Sequence, residues 1–309
     1  MKEANYPAVA LVACGSAGIA LCSGLSKERY GIATIIAIDT SGKPLKACRN
    51  ADRTIRIRHP ADERPLSPAR LREIAQAYQT AIKQALSGMQ AVVIVAGAAG
   101  VAGGTLAPLV AEYANRREKL VLTVLSWPFA FEERQARRRA MVSLGRQIAH
   151  ANSVLTLHEP ALEGEESLST LIAERQTAFQ HYLWHVCGCL SRPKLADIDF
   201  EEIRHVFALA SGCHISHLGW GEASGATRAA QAVEQALSHA GLPSVRLSTS
   251  HSVSVDIRAN RSSLSMREVA QVMDRIQREL GRTSPPVLTF SAGYDDELGD
   301  RLQVSLVVN

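Results

Sequence analysis

AVVIVAGAAGVAGGTLAPLVAEY, residues 91–113, decides the fold. Ala91 to Val95 is an unbroken apolar run rich in β-branched residues, which predicts a strand buried on both faces. From Gly97 to Gly104 every residue is Gly or Ala except Val101. Thr105 is expected to cap a helix over LAPLVAEYA, with Pro108 in its first turn, where proline is tolerated. A small-residue loop between a buried strand and a helix N-terminus is suited to cradle an anion. Its amides are free, the helix dipole points at it, and nothing bulky blocks a phosphate. Tight strand-to-helix packing has the same composition, so the loop alone leaves both readings open.

Working outward, Leu120–Leu125 reads as a second buried strand, followed by SWPFAFEER. Toward the N-terminus, Ala8–Ala13 reads as a strand that enters the small-residue turn CGSAGIALCSGL. No GK[ST] follows, so that turn is not a P-loop, and as a dinucleotide fingerprint it is poor. Thr34–Ile38 reads as a strand ending in Asp39-Thr40-Ser41. An acid after a second strand is also what a dinucleotide enzyme places on ribose, which keeps a Rossmann-type oxidoreductase in view. Thr54–Ile57 is a short strand, and HPADERPLSP a Pro-rich loop. Pro68–Leu86 is read as one amphipathic helix. Glu133–Ala149 is an arginine-rich helix carrying Arg134, Arg137, Arg138 and Arg139. It is read first as a solvated face, and second as a subunit or acidic-partner surface.

The flanks of the central stretch resemble the FtsZ/tubulin family. Ala96-Gly97 and Ala107-Pro108-Leu109-Val110-Ala111-Glu112 stand at the family spacing around its phosphate loop. Ser126-Trp127-Pro128-Phe129-Ala130-Phe131-Glu132 is similar to the family's Thr-Lys-Pro-Phe-x-Phe-Glu. Arg192-Pro193-Lys194-Leu195-Ala196-Asp197-Ile198-Asp199-Phe200-Glu201-Glu202-Ile203-Arg204 resembles the family's Arg-Pro-Gly-Leu-x-Asn-Val-Asp-Phe-x-Asp-Val-Arg. Gly221-Glu222-Ala223-Ser224-Gly225-Ala226-Thr227-Arg228-Ala229 is similar to its Gly-x-Ala-x-Gly-x-x-Arg-Ala. The resemblance runs over about residues 7 to 309.

It implies an α/β FtsZ/tubulin fold: a Rossmann-like nucleotide domain over 1–167, a long central helix and connection over 168–194, and a smaller mixed-sheet activation domain over 195–309. It implies an FtsZ-like protein that binds GTP or GDP, with Mg²⁺, and forms head-to-tail filaments. GTP hydrolysis is then completed at the subunit contact, with Asp199 and Glu202 as the catalytic pair. The nucleotide-binding positions are Gly15, Ser16, Gly18, Asp39, Gly97, Gly100, Gly103, Gly104, Thr105, Glu132, Gln176 and Thr177. The expected partners are further copies of the chain, FtsZ or another FtsZ-like protein.

The loop departs from the family. Ala99-Gly100-Val101-Ala102-Gly103-Gly104-Thr105 stands where the family has Gly-Gly-Gly-Thr-Gly-Ser/Thr-Gly. Val101 puts a branched side chain where glycine admits phosphate, and Ala102 lacks a hydroxyl. Gln176 and Thr177 stand where an Asn-Asp reads guanine, without its carboxylate. The alternative is therefore a non-hydrolysing assembly or partner-binding relative with weak or lost nucleotide binding.

Leu168–Leu190 reads as a long helix, apolar enough on most faces to be buried. His181, His185 and Cys189 share one stripe of it, with Cys187 nearby, and His214 and His217 lie beside Cys213. No HExxH glutamate accompanies them, so core or interface histidines are preferred to a metal. Val206–Ser211, Val253–Ile257, Val287–Ser291 and Leu302–Val308 read as strands and Ser265–Leu280 as a helix. The 309 residues are 46% hydrophobic and 21% charged, enough for a large core or two domains. A net charge of +4 is too mild to argue for nucleic acid. Six scattered cysteines without a CxxC, no signal peptide and no membrane-length apolar run predict a cytoplasmic protein. The chain stops after its last predicted strand, so the peptide that ties the family to membrane anchors is not expected.

Overall fold

The computed structural model describes residues 6–60, 66–158, 167–191, 200–208, 212–242, 247–281 and 287–309. In chain order its elements are β1 Val9–Cys14, α1 Gly15–Cys22, α2 Lys27–Tyr30, β2 Thr34–Asp39, α3 Gly42–Ala47, β3 Arg53–Arg56, α4 Pro68–Gln76, α5 Gln79–Ala85, β4 Ala91–Gly97, α6 Val101–Ala114, β5 Leu120–Ser126, α7 Arg134–His150 and β6 Ser153–Leu157. There follow α8 Leu168–Ser191, α9 Phe200–Phe207, β7 His214–Ala223, α10 Arg228–Ser238, β8 Ser252–Ala259, α11 Met266–Leu280, β9 Val287–Tyr294 and β10 Leu302–Val308.

The chain divides into two compact units. One holds Met1–Glu159, Gly164–Phe179 and Ala208–Ile215; the other is chiefly Gln180–Phe207 and Ser216–Asn309.

In the first unit the strands run in the order β3-β2-β1-β4-β5-β6, and every pairing is parallel. Every residue of β1, β4 and β5 is buried. Helices cover a parallel sheet on both faces, so its strands become near-continuous apolar runs. The chain lays down β1, β2 and β3 in one direction, then returns to the other side of β1 with β4, β5 and β6. The order therefore reverses between β1 and β4. Cys14 pairs with Ile38 and Ala96, and Gly97 with Ser126, so the C-terminal ends of β1, β2, β4 and β5 share one edge.

The second unit carries β7-β10-β8-β9, antiparallel except for the β8–β9 pair. Helix α11 opens with a capping box, Ser265 with Glu268, and buries Val269, Val272, Ile276 and Leu280 at helical spacing. The strands carry a buried ion pair, Arg258 with Asp256. Ser291 donates to the Asp256 carboxylate at 2.5 Å, and Arg258 donates to the Trp184 carbonyl at 2.7 Å while lying 4.1 Å over its ring. Such a pair is tolerated inside a core when hydrogen bonds meet most of its lone pairs and protons; here Arg258 Nη1 finds no hydrogen-bond partner among the described residues.

The His–Cys stripe of α8 belongs to this interior. His185 is fully buried between Ser305 Oγ at 2.8 Å and Ser254 Oγ at 2.9 Å. His181 stacks on Trp220 with ring centroids 3.9 Å apart.

Several sequence expectations need correction. Pro68–Leu86 is two helices, because the chain leaves helical geometry at Tyr78, which has ψ 3° before α5 begins. Val206 and Phe207 close α9 instead of opening a strand; 209–211 lie outside the described residues. Helix α8 is buried over 182–190, but its first turns are exposed, with Leu168 and Ile172 about half open to solvent. The segment His214–Ala223, for which the sequence offered no strand, is β7, so the Gly221–Ala229 motif begins inside a strand. Among the described residues no helix is long and apolar enough to cross a membrane.

Candidate functional site

In an open parallel sheet, ligands lie beyond the carboxyl ends of the strands, where the strand order reverses. Here that place is flanked by the turn after β1 and the loop after β4. The turn after β1 has no spacer: Gly15 follows Cys14 directly and opens α1 with φ +73°. Gly15 and Gly18 are buried; Ser16 and Ala17 face outward.

The loop after β4 is shorter than its sequence suggests. Gly100, extended at φ −73°, ψ 142°, is the cap, and α6 begins at Val101. Thr105 is therefore not the helix cap. It is the fifth helical residue and 2% exposed. Small residues permit the early start. A β-carbon on Gly103 would lie 2.7 Å from the Gly97 carbonyl, and one on Gly104 would lie 2.7 Å from that of Ala98. The helix thus winds up against the end of β4, which larger residues would forbid. Pro108 is consequently inside α6, where it offers no amide to the carbonyl of Gly104.

The glycines of the two segments meet. A β-carbon on Gly15 would lie 2.6 Å from Gly103 N; one on Gly18 would lie 2.2 Å from the Val95 carbonyl; one on Gly97 would lie 2.8 Å from Ala17 Cβ. Their smallness is used where one segment packs closely on another. What remains for an anion is the first turn of α6, where Gly100, Val101 and Ala102 are at least partly exposed. Val101 is 36% exposed at that mouth.

The structure brings Ser16 and Asp39 together across the β1–β2 edge. Ser16 Oγ donates to Asp39 Oδ2 at 3.2 Å, and Ser41 N donates to Oδ1 at 2.8 Å. Asp39 is buried, and it adds to the burial that raises the Cys14 thiol far above its ordinary range.

Glu132 is exposed, and its Oε1 accepts from Phe129 N at 2.8 Å, closing the turn after β5. Gln176 donates to the Leu21 carbonyl at 2.9 Å, which ties α8 to the end of α1. Thr177 Oγ1 donates to the Ala173 carbonyl of its own helix at 3.0 Å. Neither side chain supplies a carboxylate to read a base.

Glu202 is exposed on α9 in the second unit. Asp199 lies outside the described residues.

Sequence reasoning missed Arg175. From α8 its Nη1 donates to Ser126 Oγ at 3.0 Å, and its guanidinium lies 3.9 Å from the centre of the Phe129 ring. The cation therefore stands at the carboxyl end of β5, over the aromatic turn. The signal available was its place next to Gln176. Arg139 also reaches the loop, donating to the Ala99 carbonyl at 3.0 Å.

The family model described as the GTPase domain of the tubulin/FtsZ family matches residues 9–164, and that of the FtsZ family C-terminal domain matches residues 215–309. The cell division protein FtsZ of Buchnera aphidicola subsp. Schizaphis graminum is 26% identical over 314 residues, 99% of this chain and 80% of that protein. FtsZ of Coxiella burnetii is 28% identical over 241 residues, 77% of this chain and 61% of that protein. Among solved structures, an empty FtsZ dimer of M. jannaschii superposes with a TM-score of 0.86 at 22% identity, covering 99% of this chain and 89% of that one. The GTPγS-bound protofilament of CetZ2 from Haloferax volcanii gives 0.74 at 19% identity, over 97% and 92%. These structural likenesses establish the fold.

Proposed function

This chain belongs to the tubulin/FtsZ family, and we propose that it binds a guanine nucleotide at the β1–β4 switch point and assembles head to tail. The observation that carries the reading is the meeting of the Gly15 turn and the first turn of α6 at the one edge where the strand order reverses. The donors on the phosphate side fit such a ligand: helix-terminal amides, with Ser16 beside them. A nucleotide with Mg²⁺ would supply the phosphoanhydride and its charge neutralisation. The chain's own part is to hold the phosphates and position water. In this reading Asp199 and Glu202 of one subunit orient that water at the crevice of the next, because carboxylates polarise a water in line with phosphorus. Contacts between unlike surfaces propagate into a filament when the rotation between subunits closes no ring.

A second reading has its own support. Val101 and Ala102 replace the family's Gly and Thr, the neighbouring glycines are taken up by packing, and Thr177 bonds its own helix. These favour weak binding and a role in assembly without turnover.

Measurements of binding, turnover and assembly decide. Denaturing the purified protein and identifying any released nucleotide by chromatography tests binding. GTP turnover per subunit, followed against protein concentration, tests the shared site: it should rise, since the site exists only at contacts. Asp199→Ala should lower turnover on the order of a hundredfold while leaving nucleotide affinity nearly unchanged. Turnover that is constant across concentration overturns the shared site, and a strict monomer with or without GTP overturns assembly.

A further inference from the structure

Beside the first turn of α6, on its α7 side, lies an open cleft of about 350 Å³. Arg138, Arg139 and Arg146 of α7 line it, together with the loop 98–101 and Gly104. Spacings of one, seven and eight put the three guanidinium groups along one face, spread over about 12 Å of helix. Arg138 and Arg146 make no ion pair or hydrogen bond among the described residues, and no described carboxylate lines the cleft. Its floor holds Ser143, 2% exposed, whose Oγ finds no hydrogen-bond partner. A β-carbon on Gly104 would lie 3.3 Å from that oxygen, so it adjoins the first turn of α6. A buried hydroxyl without a partner costs free energy unless a ligand or water meets it. Three unbalanced cations, a helix N-terminus and a waiting hydroxyl converge on one volume.

We propose that this cleft is an oxyanion site that takes a chain of phosphate groups. Its width along α7 exceeds one phosphate, and guanidinium groups match phosphate oxygens in geometry as well as charge. The inference rests in part on the switch-point reading, since the cleft shares the loop 98–101 and the first turn of α6 with it, and adds the arginines and Ser143 of α7. The phosphate chain has two sources, the tail of a nucleotide or a free polyphosphate.

Calorimetry on the full chain at low ionic strength, with inorganic triphosphate and with GTP, tests it. The wild type should bind triphosphate. Arg138→Gln with Arg146→Gln should weaken that binding at least tenfold with an unchanged melting temperature, since both side chains are exposed. Ser143→Ala should weaken it severalfold. Arg134→Gln removes an equal charge from α7 outside the cleft and should change it less than twofold. GTP affinity retained in the double variant identifies a free polyphosphate as the occupant; GTP lost in parallel identifies the nucleotide tail. Triphosphate affinity unaltered in the double variant, or equally reduced by Arg134→Gln, overturns the site.

Discussion

Gly15 and Gly103 are packed backbone to backbone: a β-carbon added to Gly15 would lie 2.6 Å from the amide nitrogen of Gly103. The two residues are far apart in sequence and belong to the two segments whose small residues invite an anion reading. Their contact fixes α1 against α6 and sets where α6 can start.

Gly15→Ala should therefore cost more than its backbone conformation alone. Left-handed φ in a non-glycine residue costs about 1 kcal/mol, and forced overlap in a packed interior adds about 1–3 kcal/mol. Gly24, at φ +80° with nothing within 4 Å of where a β-carbon would stand, isolates the first term. Urea unfolding should give Gly15→Ala a loss of about 2–4 kcal/mol and Gly24→Ala about 1 kcal/mol. Equal losses would show that the Gly15–Gly103 approach is not a constraint.

Val101 and Ala102 occupy the first two positions of α6, at least partly exposed. Val101→Gly with Ala102→Thr opens the mouth and adds a donor. GTP affinity should tighten about tenfold, the worth of one charge-assisted hydrogen bond. Calorimetry giving the same affinity for both proteins contradicts this account of the loop.

Arg228, in the motif after β7, grips Glu268 of the capping box, Nε to Oε1 at 2.6 Å, and also holds the Asp300 and Ser263 carbonyls. The Arg228 hydrogen bond holds the Glu268 carboxyl down at about 2. The unfolded chain takes up that proton more readily, so this stabilisation is complete above about pH 4.5 and is lost as pH falls toward 2. Solvent screening limits it to about 1–2 kcal/mol. Unfolding free energy followed from pH 6 to pH 2 should fall less steeply for Glu268→Gln than for the parent. Parallel curves contradict the assignment.

His181 is half-buried against Trp220, with Arg258 and His239 near enough to oppose its charge, and desolvation above all pushes its pKa down to about 4. The unfolded imidazole protonates first, so stability contributed by the neutral ring is full above about pH 6.5 and declines as pH falls toward 4. His181→Phe keeps an aromatic ring against Trp220 and removes the titration. Its melting temperature should vary less between pH 7 and pH 4.5 than that of the parent; an identical slope sinks the proposal.

Much of the fold was legible because its signals are local and redundant. A strand buried on both faces must be apolar throughout, so β1, β4 and β5 announce themselves. Ser265-x-x-Glu268 announces the start of α11 in the same way, because a capping box is made within four residues. The flanks of the central loop announced the family, since both keep their spacing without a gap.

The start of α6 was not legible. Thr105 has the chemistry of a cap, yet Gly100 takes the position, because the glycines beyond it let the helix wind back onto the end of β4. Nothing local to Thr105 reports that approach. Arg175 was hidden for the same reason: Ser126 and Phe129, which it engages, are 49 and 46 residues away.

By itself the sequence determined the buried strands β1, β2, β4 and β5, the helix α11 and the membership of the family, because burial and capping write themselves into neighbouring residues. The tertiary structure alone decided what the small residues do. Gly15, Gly18, Gly97, Gly103 and Gly104 read as a phosphate cradle until the chain folds. In the folded chain they also let one segment pack closely against another, while the unbalanced positive charge gathers on α7 beside them. Smallness in a sequence is silent about what fills the space it leaves; only the packing of distant segments says whether that space holds a ligand or another part of the chain.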